Sequence, residues 1–168
     1  MIVLGIAPGV RNLAYCVLHY KEGDGWLPAV RLAELLKGIR LNGASLPTDL
    51  RRKAGHHIKI LGVVLERFPP VLIAVGPPAI PSEPELHTEA ARLVLRLFVA
   101  ELAERGVPLR HMEWRTKDAL ARALGSDKWR NVLDGRIENE SRLHKPAVRV
   151  AAAAALAGGI ALHAETHK

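Results

Sequence analysis

The sequence predicts an α/β domain in which helices flank a mixed sheet of five strands. The chain has 168 residues, of which 49% are hydrophobic, and this suits one compact domain over residues 1–168 with a full core. Three runs typical of strands open the chain. Helical repeats then alternate with two further short apolar runs. This alternation favours helices packed on a partly parallel sheet.

The N-terminal third predicts three strands. Residues 1–7 form a continuous apolar run that ends in the turn sequence Ala7-Pro8-Gly9. Residues 12–20 are rich in aromatic and β-branched types. Residues 21–25 have hairpin-turn chemistry, so residues 26–36 are expected to return antiparallel. The three strands would then form a meander.

The remaining two thirds predict helices that alternate with two strands. The predicted elements are a helix from Thr48 or Asp49 to Phe68, a strand over 71–75, a helix over 84–106, a strand over 108–114, a short helix over 116–124 and an alanine-rich helix over 146–163. The apolar face of the 84–106 helix is wider than one sheet contact requires. This excess predicts a homodimer interface on that helix.

Composition limits the class of protein. The 24 Lys and Arg residues against 17 Asp and Glu give a net charge of +7, which suits a polyanionic partner; a basic surface without such a partner is the equal alternative from charge alone. Cys16 is the only cysteine, which excludes an internal disulfide and a cysteine-based zinc cage. No uninterrupted apolar run reaches the roughly 18 residues of a membrane span, and no signal-peptide pattern follows Met1. We therefore expect a cytoplasmic protein without a membrane partner.

Four motifs, each weak alone, lie in register with those of one protein family. They are Val3-Leu4-Gly5-Ile6-Ala7 with Pro8-Gly9 and residues 12–15 after it, then residues 72–76, 107–114 and 152–157. In these motifs the chain resembles the RuvC family of Holliday-junction resolvases over nearly its whole length. The resemblance implies a ribonuclease H-like fold and a homodimer that binds four-way DNA junctions in DNA recombination and repair. It also implies phosphodiester cleavage with two magnesium ions.

The acids on which that chemistry depends are missing from the matching positions. The family's first-strand acid falls on Ala7, its fourth-strand glutamate on Gly76, and its last-helix ligands on Ala151 and Ala154. Two divalent ions require several oxygen ligands, and none of these four residues supplies one. The loop that follows, Pro77-Pro78, also lacks the aromatic residue with which the family opens a junction. The resemblance thus predicts the fold and argues against the activity: a pseudo-nuclease without catalytic residues or a metal cofactor.

Basic residues predict a surface that contacts phosphates. Lys128 matches a family lysine that approaches the scissile backbone, and Trp129 beside it offers a stacking platform. A second basic group lies on the 48–68 helix, away from its apolar stripe. The candidate nucleic-acid-binding residues are Arg11, Arg52, Lys53, His56, Lys117, Arg122, Lys128, Trp129 and Arg130. An ordinary solvated surface is the alternative for both groups.

The leading hypothesis is therefore a RuvC-like protein that binds branched or duplex DNA without cutting it. One alternative is an active, metal-dependent junction endonuclease whose acids were engineered out or have moved to Asp134, Glu138, Glu140 and His144. Arg136, Arg142 and Lys145 lie among those residues and favour ordinary salt bridges. The other alternative is a protein-interaction module whose basic face meets an acidic partner.

Overall fold

The computed structural model describes residues 1–8, 12–19, 29–37, 47–76, 85–111 and 146–166. The described strands are β1 (Ile2–Pro8), β2 (Asn12–His19), β3 (Ala29–Lys37), β4 (Leu72–Val75) and β5 (Leu109–His111). The described helices are α1 (Pro47–Arg67), α2 (Glu85–Ala103) and α3 (Pro146–Thr166). The short helix expected over 116–124, the loop Pro77-Pro78 and the basic segment around Lys128 lie outside the described residues.

Within the described residues the sheet has the strand order β3-β2-β1-β4-β5. β1, β2 and β3 pair antiparallel as the expected meander, whereas β4 pairs parallel to β1 and β5 parallel to β4. β1 is therefore the central strand, and residues 3–7 are all buried because helices cover both of its faces. The predicted mixed sheet flanked by helices is confirmed.

Side chains alternate between the two faces of this sheet. On one face, Leu4 and Ile6 of β1 meet α1 and α2 in a cluster that contains Leu61 and Phe98. On the other face, Val3 and Ala7 meet α3. The period of two residues along a strand produces this division. One sheet thus carries a core on each side.

Local sequence explains where the helices end. α1 stops at Arg67 and is followed by Pro69-Pro70, which cannot continue it. α2 ends at Ala103 rather than at residue 106, because the chain turns at once and Gly106 adopts a left-handed φ of 72°. α3 continues past residue 163 to Thr166, whose hydroxyl donates hydrogen bonds to the carbonyls of Leu162 and His163.

α3 is long and apolar enough to cross a membrane by length and composition alone. The window Ala147–Thr166 has a mean hydropathy of 1.6, although Arg149 and Glu165 prevent an uninterrupted apolar run. Half of that window is buried, because α3 packs along β1, β2 and β4. An ion pair of 2.8 Å between Arg110 of β5 and Glu165 connects its last turn to the sheet edge. The packing is that of a core helix.

Candidate functional site

Three of the four positions that match the family's acids belong to one buried cluster, and the fourth lies at the end of the adjacent strand. Ala7 lies near the carboxyl end of β1, and Gly76 follows β4, which runs parallel beside it. The Gly76 amide donates a 2.7 Å hydrogen bond to the carbonyl of Ile6, so the two strand ends lie side by side. Ala151 and Ala154 of α3 belong to the same buried cluster as Ala7. We call these four residues the alanine centre.

The alanine centre is buried. Ala7 is 7% exposed, Ala154 1% and Ala151 0%. A Cβ at Gly5 would overlap the carbonyl oxygen of Ala151 and lie 2.6 Å from the backbone nitrogen of Ala155. The backbone of α3 therefore packs directly on β1, an approach that only glycine permits at position 5.

Val150 fills the space beside Gly76. A Cβ at Gly76 would lie 2.6 Å from Cγ1 of Val150 and 3.3 Å from the carbonyl oxygen of Ile6. The side chain of Val150 thus takes the volume that a longer residue at position 76 would need. The sequence analysis missed Val150. Its only signal is a β-branched residue directly before the alanine run, and its direction depends on the rotation of α3.

The alanine centre does not fit magnesium. Mg²⁺ takes oxygen ligands at about 2.0–2.1 Å in near-octahedral geometry. Alanine and glycine provide no side-chain oxygen, and in the described ranges no group of three or more His, Cys, Asp or Glu residues could hold a metal. Cys16 lies opposite Gly5 on β2, and burial raises the pKa of its thiol to about 12. Sulfur is also not a ligand that magnesium prefers.

The first half of α1 presents a basic surface. Arg51, Arg52 and Lys59 are exposed, and His56 beside them is half-buried. Partial burial lowers the pKa of His56, and repulsion from Lys53 and Lys59 lowers it further. The exposed Arg52 can contact a phosphate as a cation, whereas His56 offers a ring that donates or accepts a hydrogen bond.

The expectation that Lys53 lies on the polar side of α1 is wrong. Lys53 is 0% exposed because it falls on the helical stripe of Leu50, Ala54 and Leu61, one turn after Leu50. His57, one turn further, is also fully buried and meets the edge of the Phe98 ring at a centroid distance of 6.3 Å. Burial lowers the pKa of Lys53 from 10.5 to about 8. The structure thus removes Lys53 from the phosphate-facing surface.

Much of the wide apolar face of α2 is buried within the chain. Phe98 and Leu102 pack against the sheet and α1, and Val94 packs against Leu50 of α1. Among the side chains described on α2, the outward ones include the exposed Arg92 and Arg96. Contacts with two neighbours, the sheet and α1, therefore account for a face wider than one contact needs. Arg11, Lys117, Arg122, Lys128, Trp129 and Arg130 lie outside the described residues.

The sheet order and the helices on its two faces define a RuvC-like resolvase fold of the ribonuclease H-like class. The Thermus thermophilus RuvC structure is similar with a TM-score of 0.71 and 22% identity, over 99% of this chain and 98% of that chain. T. thermophilus RuvC in complex with a Holliday junction substrate gives 0.70 and 20%, over 99% and 97%. The yeast mitochondrial Holliday junction resolvase Ydc2 gives 0.64 and 20%, over 94% and 78%. No family model and no curated protein matches the sequence.

Proposed function

We propose that this protein binds branched DNA of the four-way-junction type and does not cut it. The observation that carries the proposal is the alanine centre: a fold shared with junction resolvases over 99% of the chain has buried Ala7, Ala151 and Ala154 where metal-binding acids are expected. The similar T. thermophilus RuvC has a structure with a Holliday junction substrate, which supports the same class of partner here. The absent ligands oppose cleavage.

Charge supports a nucleic-acid partner. The chain carries +7, and Arg51, Arg52 and Lys59 are exposed on one helix. Each cation that neutralises a phosphate releases condensed counterions, which gives affinity that falls steeply with salt. The proposed contacts are these α1 residues with His56, together with Arg11, Lys117, Arg122, Lys128, Trp129 and Arg130.

The proposal includes a homodimer through the 84–106 segment. A four-way junction has two-fold symmetry, and an isologous dimer matches it. Exposed Arg92 and Arg96 on α2 argue that such an interface would be partly polar. A cytoplasmic role as a scaffold or protector of junctions in recombination and repair completes the proposal.

A mobility-shift titration tests binding and cutting together. The chain is titrated into a four-way junction, a matched duplex and a single strand at two salt concentrations, with magnesium or manganese in parallel lanes. We expect a salt-sensitive preference for the junction and no shorter product. Cleavage would overturn the non-catalytic assignment and direct attention to Asp134→Asn and Glu138→Gln. Absence of binding to every DNA would favour an acidic protein partner.

A matched pair of variants locates the contact. Lys128→Gln should weaken junction binding and reduce the slope of log K against log salt by about 0.9, the value for one lost phosphate contact. Arg105→Gln removes an equal charge from an exposed position just after α2 and before the start of β5, whereas Gly76 of the alanine centre follows the end of the neighbouring β4. It should leave the slope unchanged. Equal effects of the two variants would mean that affinity depends on the net charge of the chain and not on a contact made by Lys128.

A further inference from the structure

The alanine centre is packed as a core, and we infer that this packing excludes metal ions independently of the missing ligands. α3 packs closely on the sheet at Gly5 and beside Gly76, so the fold itself leaves no space for a metal site there. Restoring the acids would then destabilise the protein instead of rebuilding a metal site. The inference goes beyond the proposed function, because it concerns stability and metal binding and holds whether or not the chain binds DNA.

Val150 blocks the position of the fourth-strand acid. Valine in a helix has one strongly preferred side-chain rotamer, so Cγ1 has little freedom to move away from Gly76. The backbone of Gly76 is held as well, by its 2.7 Å hydrogen bond to Ile6. Any side chain at position 76 therefore pushes on α3, since its first carbon would lie 2.6 Å from Val150.

Moving α3 away from the sheet would break close contacts. Near its middle it packs on Gly5, where an added Cβ would overlap the Ala151 carbonyl. One turn further, a Cβ at Gly158 would lie 2.8 Å from Cβ of Ala74 on β4. At both positions α3 lies very close to the strands. A shift of α3 that made space for an acid beside Gly76 would therefore break apolar contacts elsewhere along the helix.

A carboxyl group at the buried alanines would not become a ligand. Ala7 and Ala154 are at most 7% exposed, and burial in apolar surroundings penalises the charged form of an acid. The carboxyl would stay protonated well above its usual pKa, and a protonated carboxyl binds magnesium poorly. As the pH rises through that raised pKa, the folded state must either bury a charge or unfold.

A double-mutant cycle tests the block at Gly76. Gly76→Ala, Val150→Ala and the double variant are compared with the parent by thermal unfolding. Gly76→Ala alone should lower Tm by about 3–10 °C, as expected for overpacking. In the Val150→Ala background the same change should cost less than half as much, because the clashing methyl is gone. Equal losses in both backgrounds, or no loss, would overturn the inference.

Restored acids test the exclusion of metal directly. Ala7→Asp and its uncharged control Ala7→Asn are unfolded at pH 5 and pH 8, with and without millimolar magnesium chloride. Both should lower Tm; only Ala7→Asp should lose further stability at pH 8, and magnesium should rescue neither. The same salt is then added to the variant with Ala7→Asp, Gly76→Glu, Ala151→Asp and Ala154→Asp together.

The outcomes are distinct. If the fourfold variant folds only with magnesium, or if magnesium raises the Tm of any restored variant by several degrees, a metal site has formed and the inference fails. If the fourfold variant stays unfolded with and without the ion, packing excludes the metal as inferred. DNA binding by the unaltered chain is measured separately, so failure of the proposed function leaves these results intact.

Discussion

The two faces of the sheet differ in the side chains that fill them. The face covered by α1 and α2 is filled by large side chains such as Phe98, Leu61 and Ile6. The face covered by α3 combines the small residues Ala7, Ala14, Cys16 and Ala74 with the larger Val3, Leu18 and Leu72, all against an alanine-rich helix. Large side chains hold helices away from the sheet, whereas small ones allow backbones to touch. The first face is therefore sensitive to lost volume and the second to added volume.

The largest effect should follow from truncation on the large-residue face. Phe98 is fully buried between α1, α2 and the sheet, so Phe98→Ala removes a ring and leaves a cavity. We expect the free energy of unfolding to fall by about 3–5 kcal/mol, measured by denaturant titration. Val63→Ala is the control, because Val63 is 70% exposed on α1, and it should change stability little. Equal losses would erase the contrast between core and surface.

Enlargement should damage the small-residue face by about 2–3 kcal/mol. Gly5→Ala adds one methyl that overlaps the Ala151 carbonyl, so backbone must move. Gly62→Ala is the matched control: on α1, nothing lies within 4 Å of the added carbon. That variant should gain about 0.5–1 kcal/mol from helix propensity. The same substitution should therefore have opposite signs on the two sides of the sheet, and a loss at both sites would contradict the model of the α3 contact.

The smallest effect concerns the buried cation on the large-residue face. Below pH 8 the folded chain carries charged, buried Lys53, whose pKa burial lowers from 10.5 to about 8. Between these values the unfolded chain binds more protons, so the parent should gain stability as the pH rises from 8 to 10.5. Lys53→Met should lack this gain, because it removes the group that titrates. Lys59→Met, at an exposed position on the same helix, should show the parental rise.

Much of the fold could be predicted from the sequence because local pattern and tertiary environment agree. β1 is a continuous apolar run since it lies centrally between two covered faces, and Pro69-Pro70 marks the end of α1. The apolar repeat predicts that α2 extends to Gly106, whereas the helix ends at Ala103, because Gly106, three residues later, adopts a left-handed conformation after the helix. Lys53 was misplaced because its charge outweighed its position on the apolar stripe.

The assignment of the site positions stays a prediction from the sequence, whereas their packing is visible only in the structure. The positions of Ala7, Gly76, Ala151 and Ala154 followed from motif register, and the structure brings them together. Whether Val150 fills the space beside Gly76 depends on how α3 is rotated about its axis. A helix of small residues has no single apolar stripe from which that rotation could be predicted. For the same reason, an alanine run indicates close packing without indicating which residue points at which strand.

Because the side chain of Cys16 is buried, the chain is well suited to site-specific labelling at an introduced cysteine. Its thiol is fully buried, and burial raises its pKa to about 12, so almost no reactive thiolate exists near neutral pH. A cysteine introduced at an exposed site such as Arg105 would then react with a maleimide dye while Cys16 stays silent. The natural cysteine need not be removed, and the small-residue face that it helps to form is left as it is.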